Sequence, residues 1–485
     1  MARVVILGAG VSGHTAALHL RRLLRREHEV VVVSPNADWN WIPSNIWVGV
    51  GRMPVRKVVF PLAPVYRRQG IDFRQAKAVA IRPEGDSTSD QGAVDIVYTD
   101  KARDGLVERL SYDYLINATG PKLNFAATPG LGPQGHSWSV CTPEHAVEAA
   151  RAFEAVKTRL RAGQRQRLVI GVGHGTCTCE GAAFEYTFNV EHELRESGLR
   201  DLAEVVYLTN EYELGDFGVG GMTFRQNGFI TSSRMWTESL FHERDVKAVV
   251  GAHVERVEEG ELFYETLDGT QGSLEFDFAM LLPPFRGVDL QAFDRSGEEI
   301  TGDIFAPNGF LRVDADYTPK EFEDWRAEDW PHSYQSPRYR NLFGVGIAFA
   351  PPHAISRPRK SPRGTVISPA PPRTGMPSGV MGRQVAFSIA DMIQHGAEKP
   401  THTASMSSMG AACIASAGAG FRTGTAAAMT MHPIVPNFSR YPEGGRNAKD
   451  TFGEIGLAAH WIKHMLHFLF IYKAKARFGW RFIPE

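Results

Sequence analysis

The sequence is short of the features that would make it a secreted scaffold or a membrane span. Four cysteines in 485 residues are too few for a disulfide framework, which leaves redox, metal or catalytic uses for the thiols. Met1 is not followed by a basic stretch, an apolar core and a small-residue cleavage site; the chain runs directly into the strand-like Val4 to Leu7, so synthesis in the cytoplasm is expected. Nowhere do about 20 predominantly apolar residues run together, because the greasiest segment is broken by Lys463, His464 and His467. Neither sign of charge is in excess: 53 Lys and Arg against 54 Asp and Glu leave −1, which excludes nucleic acid as a bulk electrostatic partner. The length predicts two or three domains with a sizeable core.

What is present begins with Gly8-Ala9-Gly10-Val11-Ser12-Gly13, preceded by an apolar strand and followed by a helix-like stretch to Arg26 and a second strand, Glu29 to Val33. In that βαβ setting Gly8 permits the tight turn, Gly10 lets backbone approach a pyrophosphate, and Gly13 lets the helix pack closely. The helix N-terminus attracts the phosphates. The ribose-binding position at the end of the second strand reads Ser34-Pro35-Asn36, with Asp38 beyond. A second strand and turn, Arg167 to Ile170 and Gly171-Val172-Gly173-His174-Gly175, is followed by Thr176-Cys177-Thr178-Cys179-Glu180-Gly181 where a phosphate-binding helix would open. A thiol at a helix N-terminus is stabilised as thiolate, and its pKa falls. One of the C-x-C pair is expected to be a small buried hydrophobe; zinc would need a second Cys or His pair, and no metal is expected.

Read in order, several segments resemble the sulfide:quinone oxidoreductase family. Trp41-Ile42-Pro43-Ser44-Asn45-Ile46-Trp47-Val48-Gly49 is similar to its P-S-N-x-W-V-G segment, and Ala118-Thr119-Gly120-Pro121-Lys122-Leu123 to its A-T-G-P-K-L turn. Cys141-Thr142-Pro143-Glu144-His145-Ala146 resembles C-x-P-E-H-A, and Cys179 to Glu185 resembles C-x-G-P-A-x-E with Ala182 in place of proline. Asn341 to Gly346 stands where a second flavin-contacting strand ends, with Ile347 in place of the usual Asp, and Arg373 replaces the lysine of P-K-T-G. Cys413 falls where the family has its third cysteine.

The resemblance implies FAD, held by Gly8, Gly10, Gly13, Ser34, Pro43, Ser44, Asn45, Ala118, Thr119, Gly120, Gly346 and Arg373. It implies sulfide as substrate, oxidised to zero-valent sulfur or polysulfide, and quinone as acceptor. Cys179 and Cys413 would be bridged through sulfur when oxidised, Cys413 attacking flavin and Cys179 carrying the persulfide; Cys141 would lie on the flavin's other side. Glu185, about two turns along the helix that Cys179 opens, is a candidate proton acceptor, and His145 shares a face with Cys141 if their segment is helical. A homotrimer is the family's expectation. The other classes weighed are a type II NADH:quinone dehydrogenase, another FAD-dependent thiol or disulfide oxidoreductase, and a non-catalytic FAD-binding membrane protein. NADH dehydrogenases need no redox cysteines.

Ile455 to Tyr472 is predicted to be an amphipathic helix, with His460, Lys463, His464 and His467 on a solvated or headgroup-facing side and Lys473, Lys475, Arg477 and Arg481 after it. Such a helix suits a bilayer interface, so the protein is expected to be peripheral and monotopic on the cytoplasmic membrane. The fold class is α/β: two Rossmann-like dinucleotide-binding domains plus a C-terminal amphipathic membrane-binding region. The boundaries are 1–150 and 301–395 for the two parts of the FAD domain, 151–300 for the second Rossmann-like domain with the redox cysteines, and 396–485 for the third cysteine and tail.

Overall fold

The computed structural model describes residues 1–178, 180–226, 228–370, 375–418 and 424–485; the expected site residues Cys179 and Arg373 lie outside the described residues. The first βαβ unit is β1 (Arg3–Leu7), α1 (Val11–Leu23) and β2 (Glu29–Ser34). β1 is parallel both to β2 and to β3 (Tyr114–Asn117), and the strand Leu342–Gly344 adds to the far side of β3. Val4 to Leu7 are fully buried, as a strand covered on both faces requires. Residues 341–346 thus return to the first sheet after an excursion of more than 200 residues, so the first sheet is built from two separate parts of the sequence.

That excursion contains α2 (Pro143–Arg161), β4 (Gln166–Val172), α3 (Glu180–Glu196) and β5 (Ala203–Leu208). β4 pairs in parallel with β5 on one side and with Phe278–Leu282 on the other, and Lys247–Val249 adds to β5, making a second, all-parallel sheet. The chain then re-enters the first domain through α4 (Met376–His395), which packs along α1.

The C-terminal region departs from a simple appendage. The small-residue stretch around Cys413 forms β6 (Ala411–Ala417), antiparallel to Thr425–Met431, which pairs in turn with Phe452–Gly456. The hairpin Thr223–Gln226 and Phe229–Ser232, from the second Rossmann-like half, joins the edge of this sheet. The predicted terminal helix is α5 (Leu457–Ala474), with its first two predicted residues in the preceding strand. Among the described residues no helix is long and apolar enough to cross a membrane.

Candidate functional site

The first glycine turn is a cradle with room in it. A Cβ on Gly8 would meet the Ala118 carbonyl oxygen at 2.2 Å, and one on Gly13 would meet the Gly8 carbonyl oxygen at 2.1 Å. These contacts bring the Ala118-Thr119-Gly120 turn and the start of α1 together on the first turn. At Gly10, by contrast, the space where a side chain would stand is open. Gly10 precedes α1 without a side-chain cap, and no acidic residue occupies the helix's first turn, so its N–H groups and positive end are left for an anion. Gly346, at φ 69°, lies so near α1 that a Cβ there would meet the Ser12 hydroxyl at 2.6 Å. Ser34 is buried at the end of β2. These residues fit a dinucleotide such as FAD.

The second glycine turn is filled by the protein itself. A Cβ on Gly173 would strike the Leu131 side chain at 2.4 Å, and one on Gly175 would strike the Val366 carbonyl oxygen at 2.7 Å and His253 Nδ1 at 3.0 Å. The proline- and arginine-rich segment 352–370 crosses this turn. Ser368 N–H donates to the Gly175 carbonyl at 2.8 Å, Thr178 pairs with Ala370 as a β-bridge, and the Tyr212 hydroxyl donates to the carbonyls of Arg357 and Ile367. The backbone of the second glycine turn is thus covered by Leu131, His253 and the segment ending at Ala370.

Cys413, partly buried on β6, sits against the opening of α3: its Sγ lies 3.3 Å from where a Cβ on Gly181 would stand. Cys179 precedes that helix in sequence and lies outside the described residues. Cys177 is buried, with its Sγ 3.2 Å from the Leu282 carbonyl oxygen, the small buried hydrophobe expected of one member of the pair. The low thiol pKa expected at the helix N-terminus is not found in the cysteines described. Burial pushes Cys141 and Cys413 up to about 11, Glu185 adding to the shift at Cys413 while Lys463 opposes it. Cys177 is raised further, by burial and then by Glu180.

Glu185 lies on α3 but is not a free base. Its Oε1 accepts from the Ser416 N–H at 3.0 Å and the Ser416 hydroxyl at 2.5 Å, and its Oε2 accepts from Lys463 Nζ at 3.0 Å. His145 does not share a helix face with Cys141. Cys141 precedes α2, whose cap is Thr142 accepting from the His145 N–H, and the His145 ring packs edge-on against Phe125. The Pro43-Ser44-Asn45 segment is a 3-10 turn leading into the short helix Asn45–Gly49. Asn45 reaches the Val140 carbonyl, beside Cys141, and the Ser44 hydroxyl contacts His467 Nδ1 at 2.8 Å.

That last contact belongs to a face of α5 opposite in sense to the one predicted. His460, Lys463 and His467 are buried, whereas Trp461, Ile462, Met465 and Phe468 are exposed. The polar residues point into the protein because the cysteine strand and the Ser44 segment offer them partners. His464 stacks on Trp47, whose indole N–H donates to the Ser416 hydroxyl. Burial pushes His467 down to about 4, so it is neutral at ordinary pH. Lys473, expected to meet headgroups, is buried as well and pairs with Glu485 at 2.7 Å. Sequence reasoning missed Lys463 as a partner of Glu185; a lone cation amid apolar helix residues was the available signal. It also missed Glu180 and Glu211, whose burial nothing local announces.

Residues 2–304 match the family described as pyridine nucleotide-disulphide oxidoreductase. A sulfide-quinone reductase of Aquifex aeolicus (strain VF5) is 27% identical over 474 residues, 97% of this chain and 91% of that protein. The solved sulfide:quinone oxidoreductase of Aquifex aeolicus aligns with a TM-score of 0.74 at 25% identity, covering 98% of this chain and 92% of that one. An Arabidopsis thaliana external alternative NAD(P)H-ubiquinone oxidoreductase, B4, is 27% identical over 200 residues, 39% of this chain and 32% of that protein. With the first glycine turn open, the second filled and the family match running over more than half its length, the chain belongs to the pyridine nucleotide-disulphide oxidoreductase family.

Proposed function

We propose that the protein is a membrane-associated flavoprotein that oxidises sulfide to zero-valent sulfur or polysulfide and reduces quinone. The observation that carries this reading is the exchange made at the second glycine turn: the chain's own segment covers the turn, and a thiol, Cys413, packs against the first turn of the helix that follows. Similarity to the Aquifex sulfide-quinone reductase over nearly the whole of both chains points the same way.

Gly8, Gly10, Gly13, Ser34, Ala118, Thr119, Gly120 and Gly346 would hold FAD, with Pro43, Ser44, Asn45 and Arg373 completing its surroundings. When bound, FAD supplies a two-electron acceptor that can pass its electrons to a quinone. The protein's own part is sulfur exchange. Hydrosulfide attacks a sulfur bridge between Cys179 and Cys413, Cys179 keeps the incoming sulfur as a persulfide, and Cys413 leaves as a thiolate. Glu185, Ser416 and Lys463 hold the strand bearing Cys413 in place. Cys141 follows Val140, whose carbonyl accepts from Asn45, and His145 lies in the first turn of α2. The exposed apolar face of α5, with Phe478 and Phe482 exposed after it beside the exposed Arg477 and Arg481, is suited to lie at a bilayer surface, where a lipid-soluble quinone is available.

The test is the visible spectrum of the purified flavoprotein under anaerobic conditions. Sulfide is expected to bleach the flavin, a short-chain quinone to restore it, and Cys413→Ser or Cys179→Ser to abolish the bleaching. A flavin that sulfide leaves oxidised would overturn the reading.

A further inference from the structure

Lys463 comes from a helix whose outer face is apolar, yet its side chain turns inward and is 11% exposed. Its Nζ is 3.0 Å from Glu185 Oε2 and 3.2 Å from the carbonyl oxygen of Ile414, the residue after Cys413. Burying an ion pair costs desolvation that its attraction does not always repay, and apolar side chains of the same size would hold α5 on the sheet at least as well. The pair therefore calls for a use beyond docking. It lies beside a thiol.

We propose that Lys463 is the positioning cation of Cys413: it draws the charge of Glu185 away from the sulfur and stabilises the thiolate that Cys413 becomes when its sulfur–sulfur bond opens. The substrate in this statement rests on the function proposed above; the electrostatics does not. In the exchange, HS⁻ forms a bond to the Cys179 sulfur, the bond from that sulfur to Cys413 breaks, and the bonding pair stays on Cys413. The proton of HS⁻ remains on the new persulfide. The sulfide sulfur is oxidised to the persulfide level as the Cys413 sulfur is reduced from disulfide to thiolate, so the electrons balance within the exchange, and a unit of negative charge moves from a solvated ion to a cysteine beside a carboxylate.

Two like charges so close in a partly buried site repel strongly. Among the described residues the ionisable groups that act on Cys413 are Glu185 from α3 and Lys463 from α5, with His460 and His464 next along the same helix face. Burial and Glu185 push the Cys413 thiol up, and Lys463 works against both. The remaining acceptor capacity of Glu185 is taken by Ser416, which fixes the carboxylate where Lys463 can reach it. Because α5 also presents the apolar outer face, one helix carries both the surface-docking residues and the counter-ion of the reactive thiol.

The experiment uses the reduced, FAD-loaded full chain and reads alkylation of Cys413 by iodoacetamide, resolved by peptide mass spectrometry across pH. Lys463→Met is expected to move the alkylation midpoint up by about one pH unit, about a tenfold slowing at pH values below both midpoints. Glu185→Gln should move it down, and Lys463→Arg should keep it near the parent's. Should Lys463→Met fail to fold because it strands a buried carboxylate, the double variant Glu185→Gln with Lys463→Met leaves no unpaired charge. Its midpoint is expected above that of Glu185→Gln alone. Midpoints that coincide in that pair, or a Lys463→Met midpoint equal to the parent's, would overturn the proposal. Failure of the sulfide reading would appear separately, as a parent flavin that sulfide does not bleach whatever the alkylation shows.

Discussion

Glu180 and Glu211 are two carboxyl groups placed where two charges cannot both be supported. Glu180 is the first residue of α3 and is fully buried. Burial raises it well above the usual carboxyl range, Glu211 and Asp216 add to the shift, and the backbone N–H groups of Glu180 itself and Ala370 oppose it in part. Glu211 is better supplied: the Phe217 N–H donates to one oxygen, and the Tyr207 and Thr209 hydroxyls donate to the other. Burial still pushes it up to about 7. Asp216, itself raised by burial, acts on both carboxyls and on the buried Arg446. An acid whose folded pKa is raised favours the folded state below its unfolded pKa and loses that advantage as pH rises through the folded value. For Glu211 the window runs from about 4.5, its ordinary value, to about 7, a loss of about 3 kcal/mol if the whole shift is expressed. The expected outcome is that stability measured by urea unfolding falls between pH 5 and pH 7.5 more steeply in the parent than in Glu211→Gln. Equal slopes would show that Glu211 is ionised throughout.

α5 makes the same kind of argument at the scale of an element, since its two faces have exchanged the places that a surface helix usually gives them. Met465 is 51% and Phe468 60% exposed, while His460 is fully buried. Leaving large apolar side chains in water while histidines occupy the interior costs free energy unless the outer face meets something apolar. Replacing Met465 and Phe468 together by Glu is therefore expected to weaken sedimentation with phosphatidylcholine–phosphatidylglycerol vesicles by tenfold or more, about 1.4 kcal/mol, without loss of bound flavin. Unchanged binding would assign the apolar face to another partner. The helical periodicity of Leu457 to Ala474 was legible in the sequence because it is local, and so was the presence of two faces. Which face turns inward was not. It is decided by Glu185 and Ser44, which are 278 and 423 residues away from Lys463 and His467.

For the whole molecule the same division holds. The strand, turn and helix of Gly8 to Gly13 are contiguous, so the first dinucleotide cradle could be read directly; the fate of the second turn depended on Leu131, His253 and residues 352–370, which no local pattern links to Gly173. That long-range filling yields the last expectation, which separates this chain from its NAD(P)H-oxidising relatives. A nicotinamide nucleotide would have to displace Val366 and Ser368 from Gly175 and Leu131 from Gly173. It would then place its phosphates at a helix opening with Glu180, where phosphate sites favour uncapped N–H groups and positive charge. Even a neutral Glu180 would forfeit its buried place among Cys177, Glu211 and Asp216. NADH and NADPH in large excess are accordingly expected to leave the flavin spectrum unchanged under anaerobic conditions, in the same preparation that sulfide bleaches. Removing residues 356–368 alone is not expected to create the activity, because Leu131 and Glu180 remain. Flavin reduction by NADH in the parent would mean that the segment over Gly175 opens in solution, and that the turn retains the nucleotide site its sequence position suggests.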